Sequence, residues 1–585
     1  MSYIFIYFYA SLLTISIIGY GFLISRIINK DLLILNIGYQ GLFGIFSLTF
    51  ISYLTIFFMK HNYLHNITIH FMGIFSFIYF FDTKKRYPEL IRLFSIFSIL
   101  FIGLLIIRNH DDFNYYHLTY SLGLTENKIF FGLGQFMHGY KHHSSLFLFN
   151  SIIYLPYIKY HLFHSLGWFT LLFINYFLIN YLLFEKIKKL DFKYFFYLLV
   201  IIFINIKFSR IGGYGTDLSG QIILLSIFPL IYQSLKMQID DPNFKVNSSI
   251  VILLITYSTT LKSFFILNFL FFLSLIFLFN FKKIIKHILF TKTFIVSFVM
   301  IALMVTVNIA YTGCAVYPVK QTCMDDNLSW SLSKNHVEKM NNHYQLWAKS
   351  GFGLSEEEMG MEPEIFIKKF NWVSNWYEKY YKYKVKATII GIGLIILILF
   401  FCFRGGNKET LNKQDKLSIS ILFFITLVLF FEWFYNHPAL RYGGYYLLCI
   451  IFFIPISLYL GLKNFNFVNK KNIIISLIIF SFLSFNIRNV IRINKEFRVV
   501  PNNDFPFFYA PIQTSQEFII TETLDQSKDS INKGTNAKVY LPNTDSCWVS
   551  KTPCIGGGAG NFIVKEKLGF KIFISNQKEI KKLRN

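Results

Sequence analysis

The sequence predicts an all-α polytopic membrane protein of about 14 helices, with a helical periplasmic loop domain and a small α/β C-terminal periplasmic domain. Three observations carry that prediction. Apolar residues make up 54% of the 585 and charged residues 15%, where a soluble domain carries roughly 25% charged. Mean hydropathy is +0.47. The apolar residues also fall in blocks near the length that crosses about 30 Å of hydrocarbon, where only helices satisfy their own backbone groups.

The blocks are 3–26, 32–58, 63–82, 90–107, 162–184, 194–206, 218–235, 249–261, 264–280, 291–311, 385–403, 417–434, 443–462 and 472–489. Residues 3–26 lack a basic n-region and run into Arg26 and Lys30, so they read as a first span rather than a cleaved signal. Segment 144–158 is apolar but short. Treated as re-entrant or interfacial, it leaves the basic loops on one face, except for the run Arg488, Arg492, Lys495 and Arg498, which opens a long translocated domain where the rule is weak. Those loops hold Arg26 and Lys30; Lys84, Lys85 and Arg86; Lys186, Lys188, Lys189 and Lys193; Lys282, Lys283 and Lys286; Arg404, Lys408, Lys413 and Lys416; and Lys463, Lys470 and Lys471. Positive loops stay in the cytoplasm. Both termini then lie in the periplasm, with loops 108–143, 207–217, 312–384 and 435–442 and the tail 490–585. The organisation is a membrane domain over 1–311, a periplasmic loop domain over 312–384, membrane helices over 385–489 and a periplasmic domain over 490–585. The net charge of +25 is thereby explained by topology, not by nucleic acid. Much of the Phe, Ile, Tyr, Asn and Lys excess is of the kind an AT-rich genome produces, so single aromatics carry no weight.

Cys402 and Cys449 lie within apolar blocks and read as inert core. Cys314, Cys323, Cys547 and Cys554 fall in outer segments, where an oxidising compartment favours disulfides. Four cysteines allow three connectivities; two local loops are preferred. Their spacing does not suit zinc.

Candidate chemistry gathers on the outer face. The loop 108–147 contains Asp111, Asp112, His117, Glu126, His138, His142 and His143. Adjacent acids at a helix end can act as a general base or hold a divalent cation, magnesium or manganese. His117 could bind phosphate as a cation or complete a site. Asp217 opens the block at 218, either as a helix N-cap or as a further acid facing the same site. Lys262 interrupts the apolar stretch 249–280, which marks it as functional or as snorkelling to the interface. His437 and Arg441 sit in the turn 435–442, and Arg suits bidentate phosphate binding; interfacial anchoring is the plainer role. No Walker-A loop, Rossmann glycine fingerprint or zinc-hydrolase motif occurs in the sequence. A transferase of this build therefore needs a lipid-linked donor.

The order of these features resembles the GT-C superfamily of polytopic glycosyltransferases. The resemblance implies that Asp111 or Asp112 is the catalytic base or metal ligand, that Asp217 is a second acid, and that Lys262 and Arg441 approach the carrier phosphate. A closer resemblance is to an uncharacterised family of bacterial membrane proteins with GT-C character. It rests on DDFNYYHL (111–118), GLGQFMHGYKHHSS (132–145), GTDLSGQ (215–221), TLKSFF (260–265), TGCAVYPV (312–319), LWAKSGFG (346–353), WVSNWYEKY (372–380), LRYGGY (440–445) and CWVSKTPC (547–554). One departure stands out: four blocks precede the acidic loop, where GT-C enzymes have one.

In the soluble segments, Trp330, Trp347, Trp372 and Trp376 suit a folded helical cap, as core or as sugar-stacking surfaces. Residues 354–379, with Glu356, Glu357 and Glu358, look helical, and 537–543 and 570–575 read as strands. The expected function is transfer of a sugar from a polyprenyl-phosphate donor to an envelope glycan, lipid or protein at the bacterial inner membrane. A polysaccharide polymerase or ligase is the first alternative. A transporter or flippase is the second, although no internal repeat is visible.

Overall fold

The computed structural model describes residues 3–105, 110, 112–187, 189–276, 281–325, 327–353, 359–406, 410–499, 540, 547, 549–554 and 562–575. Among them, ten helices are long and apolar enough to cross a membrane: Tyr3–Ile28, Ile37–Thr55, Leu166–Phe184, Leu218–Lys236, Pro242–Leu261, Lys292–Thr312, Val373–Cys402, Lys413–Asn436, Gly444–Gly461 and Phe467–Glu496. The chain is a multi-pass membrane protein.

Four expected spans coincide with helices that are shorter or more polar. Tyr63–Phe80 carries His65, Asn66 and His70. Thr83–Leu100 opens on Lys84, Lys85 and Arg86 and contains Glu89 and Arg92. Phe192–Lys207 has 16 residues. The block at 264–280 breaks into a 3-10 turn, Ser263–Phe269, and a seven-residue helix, Leu270–Ile276. Hydropathy registers the last as one apolar block because it does not see where the backbone changes helix type.

Small residues set the packing of the first helices. An added Cβ on Gly44 would lie 1.7 Å from the Ile17 carbonyl oxygen, so the helices Tyr3–Ile28 and Ile37–Thr55 touch backbone to backbone there. The helix Leu218–Lys236 is the most enclosed, at 94% of its span, while Val373–Cys402 is 28% enclosed and lies at the edge. The helix Ser145–Ile152 spans about 12 Å and is buried along its whole length, so it cannot cross. The Asn66 amide holds its end by donating to the Ser151 and Tyr154 carbonyls, both at 2.8 Å.

The loop that begins near residue 110 is a hub. A π turn, Phe113–His117, leads into the helix Leu118–Glu126. The C-terminal hairpin, Phe562–Lys567 with Phe570–Ser575, docks on it: Phe131 N–H donates to Lys571 O (3.0 Å) and Phe573 N–H to Phe131 O (2.8 Å). Glu126 accepts from Thr552 Oγ1 at 2.6 Å, so this acid ties down the tail. Cys314 bonds Cys323 and Cys547 bonds Cys554, the two local pairings. Cys449 is buried and Cys402 partly so. Trp372 and Trp376 are core, whereas Trp347 is 44% exposed. The strand expected at 570–575 is present. Of the strand expected at 537–543, only Tyr540 is described, bridging Cys554. Glu356, Glu357 and Glu358 lie outside the described residues.

Replacing Gly44 by Ala forces the first two helices apart and should cost about 1–3 kcal/mol. Thermal unfolding of the detergent-purified chain should show a lower midpoint than the wild type. Gly391→Ala, where an added Cβ meets nothing within 4 Å, should leave the midpoint unchanged or raise it.

Candidate functional site

Three helix ends meet at one point, and each contributes a charge. Asp217 stands at the N-cap position of Leu218–Lys236, but its side chain caps nothing. Its carboxylate instead accepts from Lys262 Nζ and from Arg441 Nε, the latter at 2.8 Å. Asp217 is 1% exposed, and Lys262 and Arg441 are 22% and 32% exposed. A buried charge without such partners would cost several kcal/mol. The N-cap role is therefore replaced by a two-cation clasp.

Local sequence explains each position. Lys262 ends the helix Pro242–Leu261 in an extended conformation, which turns its stem towards Asp217. Arg441 lies in the 3-10 turn Leu440–Tyr442, whose neighbours are all bonded. Trp376 Nε1 donates to Pro438 O (2.7 Å), Trp433 Nε1 to Ala439 O (2.9 Å), and Leu440 N–H to Tyr380 Oη (2.9 Å). Gln221 completes the turn. Its Nε2 donates to Arg441 O (3.0 Å), and its Oε1 accepts from Tyr445 N–H (3.1 Å), one of the unpaired donors at the start of Gly444–Gly461. The Lys262 ammonium also sits 4.1 Å from the Tyr442 ring centroid.

Asp112 reaches the cluster from the first outer loop. Its Oδ2 lies 3.7 Å from Arg441 Nη2 and 3.4 Å from His110 Nδ1. The His110 and His117 rings stack, 5.7 Å apart and 11° from parallel. Gly215, at φ +51°, lets the second outer loop press on this pair, since a Cβ there would lie 2.8 Å from His117 Cε1. Among the described residues, His110, Asp112 and His117 could hold a metal, their donor atoms lying within 4.8 Å of one another. Asp111 lies outside the described residues.

Electrostatics follow from burial and neighbours. Burial alone would raise the Asp217 carboxyl; Lys262 and Arg441 outweigh it and hold the group at about 2. Burial lowers the Lys262 ammonium, with Asp217 working against it. Burial, His110 and Arg441 push the His117 imidazole well below its ordinary range. It stands neutral at pH 7. His437 lies 6.2 Å from the Tyr442 ring, and burial, Lys262 and Lys349 hold it at about 4, again neutral.

The remaining histidines of the loop serve its fold. His143 joins Tyr53 Oη (2.6 Å) and Tyr120 Oη (2.9 Å). His142 meets Tyr344 Oη at 3.0 Å, fastening the cap helix Lys334–Lys349 to the loop. Of the residues singled out from sequence, Asp112, His117, Asp217, Lys262 and Arg441 converge, and His437 borders them. His110, Gln221 and Tyr442 were missed as site residues. The spacing His110, Asp112, His117 is a readable ligand pattern, and Gln221 lies one helical turn past Asp217. Tyr442 gives no signal beyond its place beside Arg441.

Asp217→Asn should destabilise the chain by about 3–5 kcal/mol, because Lys262 and Arg441 lose their buried partner. The folded carboxyl titrates at about 2 against an ordinary 3.8. Its contribution is thus full above about pH 4 and is lost as pH falls through about 2. The gap in unfolding midpoint between wild type and Asp217→Asn should narrow as pH falls from 7 to 2. Lys262→Met added to Asp217→Leu should recover part of the loss at pH 7.

The family described as Domain of unknown function (DUF8201) matches residues 1–448. No curated protein and no solved structure matches the chain. The match takes in the whole charged cluster and well over half of the sequence, and the chain belongs to that family.

Proposed function

We propose that this protein is a membrane glycosyltransferase of GT-C type, working on the periplasmic face of the bacterial inner membrane. It moves a sugar from a polyprenyl-phosphate donor to an envelope glycan, lipid or protein. The observation that carries the reading is the cluster itself: two carboxylates, an arginine and a lysine drawn from four segments to one outer mouth. The opposite helix ends carry Lys236 paired with Asp415 and Lys283 paired with Asp240. They belong to the lysine-rich loops that the positive-inside rule assigns to the cytoplasm. A topology of fourteen membrane segments with both termini periplasmic suits that charge pattern.

The chemistry divides among the residues. Asp112 is the partly exposed carboxylate, and it takes the proton of the acceptor hydroxyl. The hydroxyl oxygen bonds to the anomeric carbon as that carbon's bond to the phosphate oxygen breaks. The electron pair leaves with the phosphate, which gains a negative charge. Arg441 and Lys262 stand where that charge grows, and stabilisation confined to the transition state is what speeds a reaction. Asp217, ionised down to about pH 2, is a positioning residue for both cations. A divalent ion beside Asp112 would add Lewis-acid charge to the same phosphate.

The test is transfer by purified, reconstituted chain from a panel of radiolabelled polyprenyl-phosphate sugars. Asp112→Asn should lower the rate about 10²–10⁴-fold and Arg441→Ala about 10²–10³-fold, with unchanged unfolding midpoints for Asp112→Asn. Equal turnover by all variants would remove this site from the reaction. Loss in Arg441→Ala with Asp112→Asn active favours a polymerase or ligase. Movement of labelled lipid across the bilayer without covalent change favours a flippase.

A further inference from the structure

The chain changes helix type just after residue 112, as it also does at Asn180–Phe184, Ile285–Leu289 and Tyr377–Val385. Phe113–His117 is a π turn, closed by the bond from Leu118 N–H to Phe113 O. Residues five apart on a regular helix point about 140° away from each other. The wider i→i+5 turn brings Asp112 and His117 back towards one side. Such turns are rare and cluster at functional sites. His110 then folds over the same side, its ring parallel to that of His117.

We propose that His110, Asp112 and His117 form a binding site for one divalent transition-metal ion such as manganese, cobalt or zinc. The sequence alone suggested magnesium or manganese on the adjacent carboxylates Asp111 and Asp112; the folded chain surrounds Asp112 with imidazoles instead. Two imidazoles and one carboxylate suit first-row transition ions, whereas magnesium prefers oxygen alone. The geometry is near closure. The three donor atoms lie within 4.8 Å of one another, and donors about 2.1 Å from a shared ion stand roughly 3–4 Å apart. His110 and Asp112 are partly exposed, so their side chains have room to draw in, while buried His117 supplies the fixed point. Three protein ligands leave coordination positions open for water or substrate.

The surrounding charge admits the ion. Asp112 and Asp217 balance Lys262 and Arg441, so the cluster alone carries no net charge and does not repel a cation as a whole. With the ion it carries +2, which favours a phosphate-bearing anion in the open positions. A carboxylate has two oxygens, so ligation through one leaves the other for an acceptor hydroxyl. The site does not depend on the transferase reading, because ion uptake is measured without substrate.

The full-length chain is purified in detergent, stripped with chelator and titrated with Co²⁺ alone. Metal content is read by mass spectrometry and ligand type by visible absorption; Mn²⁺-loaded protein is examined for ¹⁴N coupling by pulsed electron paramagnetic resonance. The expected result is about one ion per chain, nitrogen coupling from imidazole, and retention against a large excess of Mg²⁺. His110→Ala and His117→Gln, checked for unchanged unfolding midpoints, should each weaken uptake at least tenfold. Absence of stoichiometric uptake by the wild type overturns the proposal. So does bound Mn²⁺ without nitrogen coupling, a readout that needs no variant to fold. Uptake untouched by both His variants places the ion elsewhere and overturns it equally.

Discussion

A carboxylate held almost out of reach of water, with two cations on it, is the constraint around which this molecule is arranged. Asp217 cannot be left alone in a low-dielectric setting, and neither can Lys262 once its stem is enclosed. The arrangement closes only if three helix ends meet: the start of Leu218–Lys236, the end of Pro242–Leu261 and the turn before Gly444–Gly461. Gln221 makes the meeting specific, because its amide satisfies a carbonyl of the Arg441 turn and an amide of the following helix together. The ion cluster therefore fixes geometry more than it adds stability. Replacing such clusters by apolar side chains often leaves proteins equally stable.

Around that point the outer segments are layered from distant parts of the sequence. The first loop lies beneath, the cap helix Lys334–Lys349 fastens to it through Tyr344, and the C-terminal hairpin lies against Phe131. The two disulfides sit in the connecting pieces, at Cys314–Cys323 and Cys547–Cys554. The second closes a short loop whose backbone presents a carbonyl and an amide to the hub. Tyr140 Oη donating to Cys554 O at 3.0 Å and Glu126 accepting from Thr552 are such contacts. These loops are joined to one another by backbone and side-chain bonds rather than by a large separate core.

What was legible in the sequence follows from what hydropathy and charge report. Long uniform helices such as Lys292–Thr312 and Lys413–Asn436 are readable because lipid contact makes them apolar on all sides. Thr83–Leu100 and the stretch after Lys262 are harder to read as spans, since the first opens on basic residues and the second changes helix type. Lys262 and Arg441 were conspicuous as charges at membrane level, which are too costly to be placed idly. Asp217 was ambiguous, because nothing local distinguishes a capping aspartate from one whose partners lie 45 and 224 residues away. His110 was passed over because its value depends on a π turn that no periodicity announces. Glu126 was grouped with the candidate acids, and its partner Thr552 lies in a remote tail.

Arg441 is shared unequally. It lies 2.8 Å from Asp217 and 3.7 Å from Asp112, and Asp217 is buried while Asp112 is open to the mouth. On the transferase reading, this inequality orders events. An arriving phosphate competes with both carboxylates for the guanidinium, and it displaces the weaker, more solvated contact. Asp112 is then released at the moment the donor is in place, when a base is wanted near the anomeric carbon. Asp217 keeps its grip, so Arg441 and Lys262 remain aimed as charge accumulates on the leaving group. Two carboxylates of the same kind thus take different roles because one is buried and the other is not, and burial, unlike residue type, is set by where four distant segments meet.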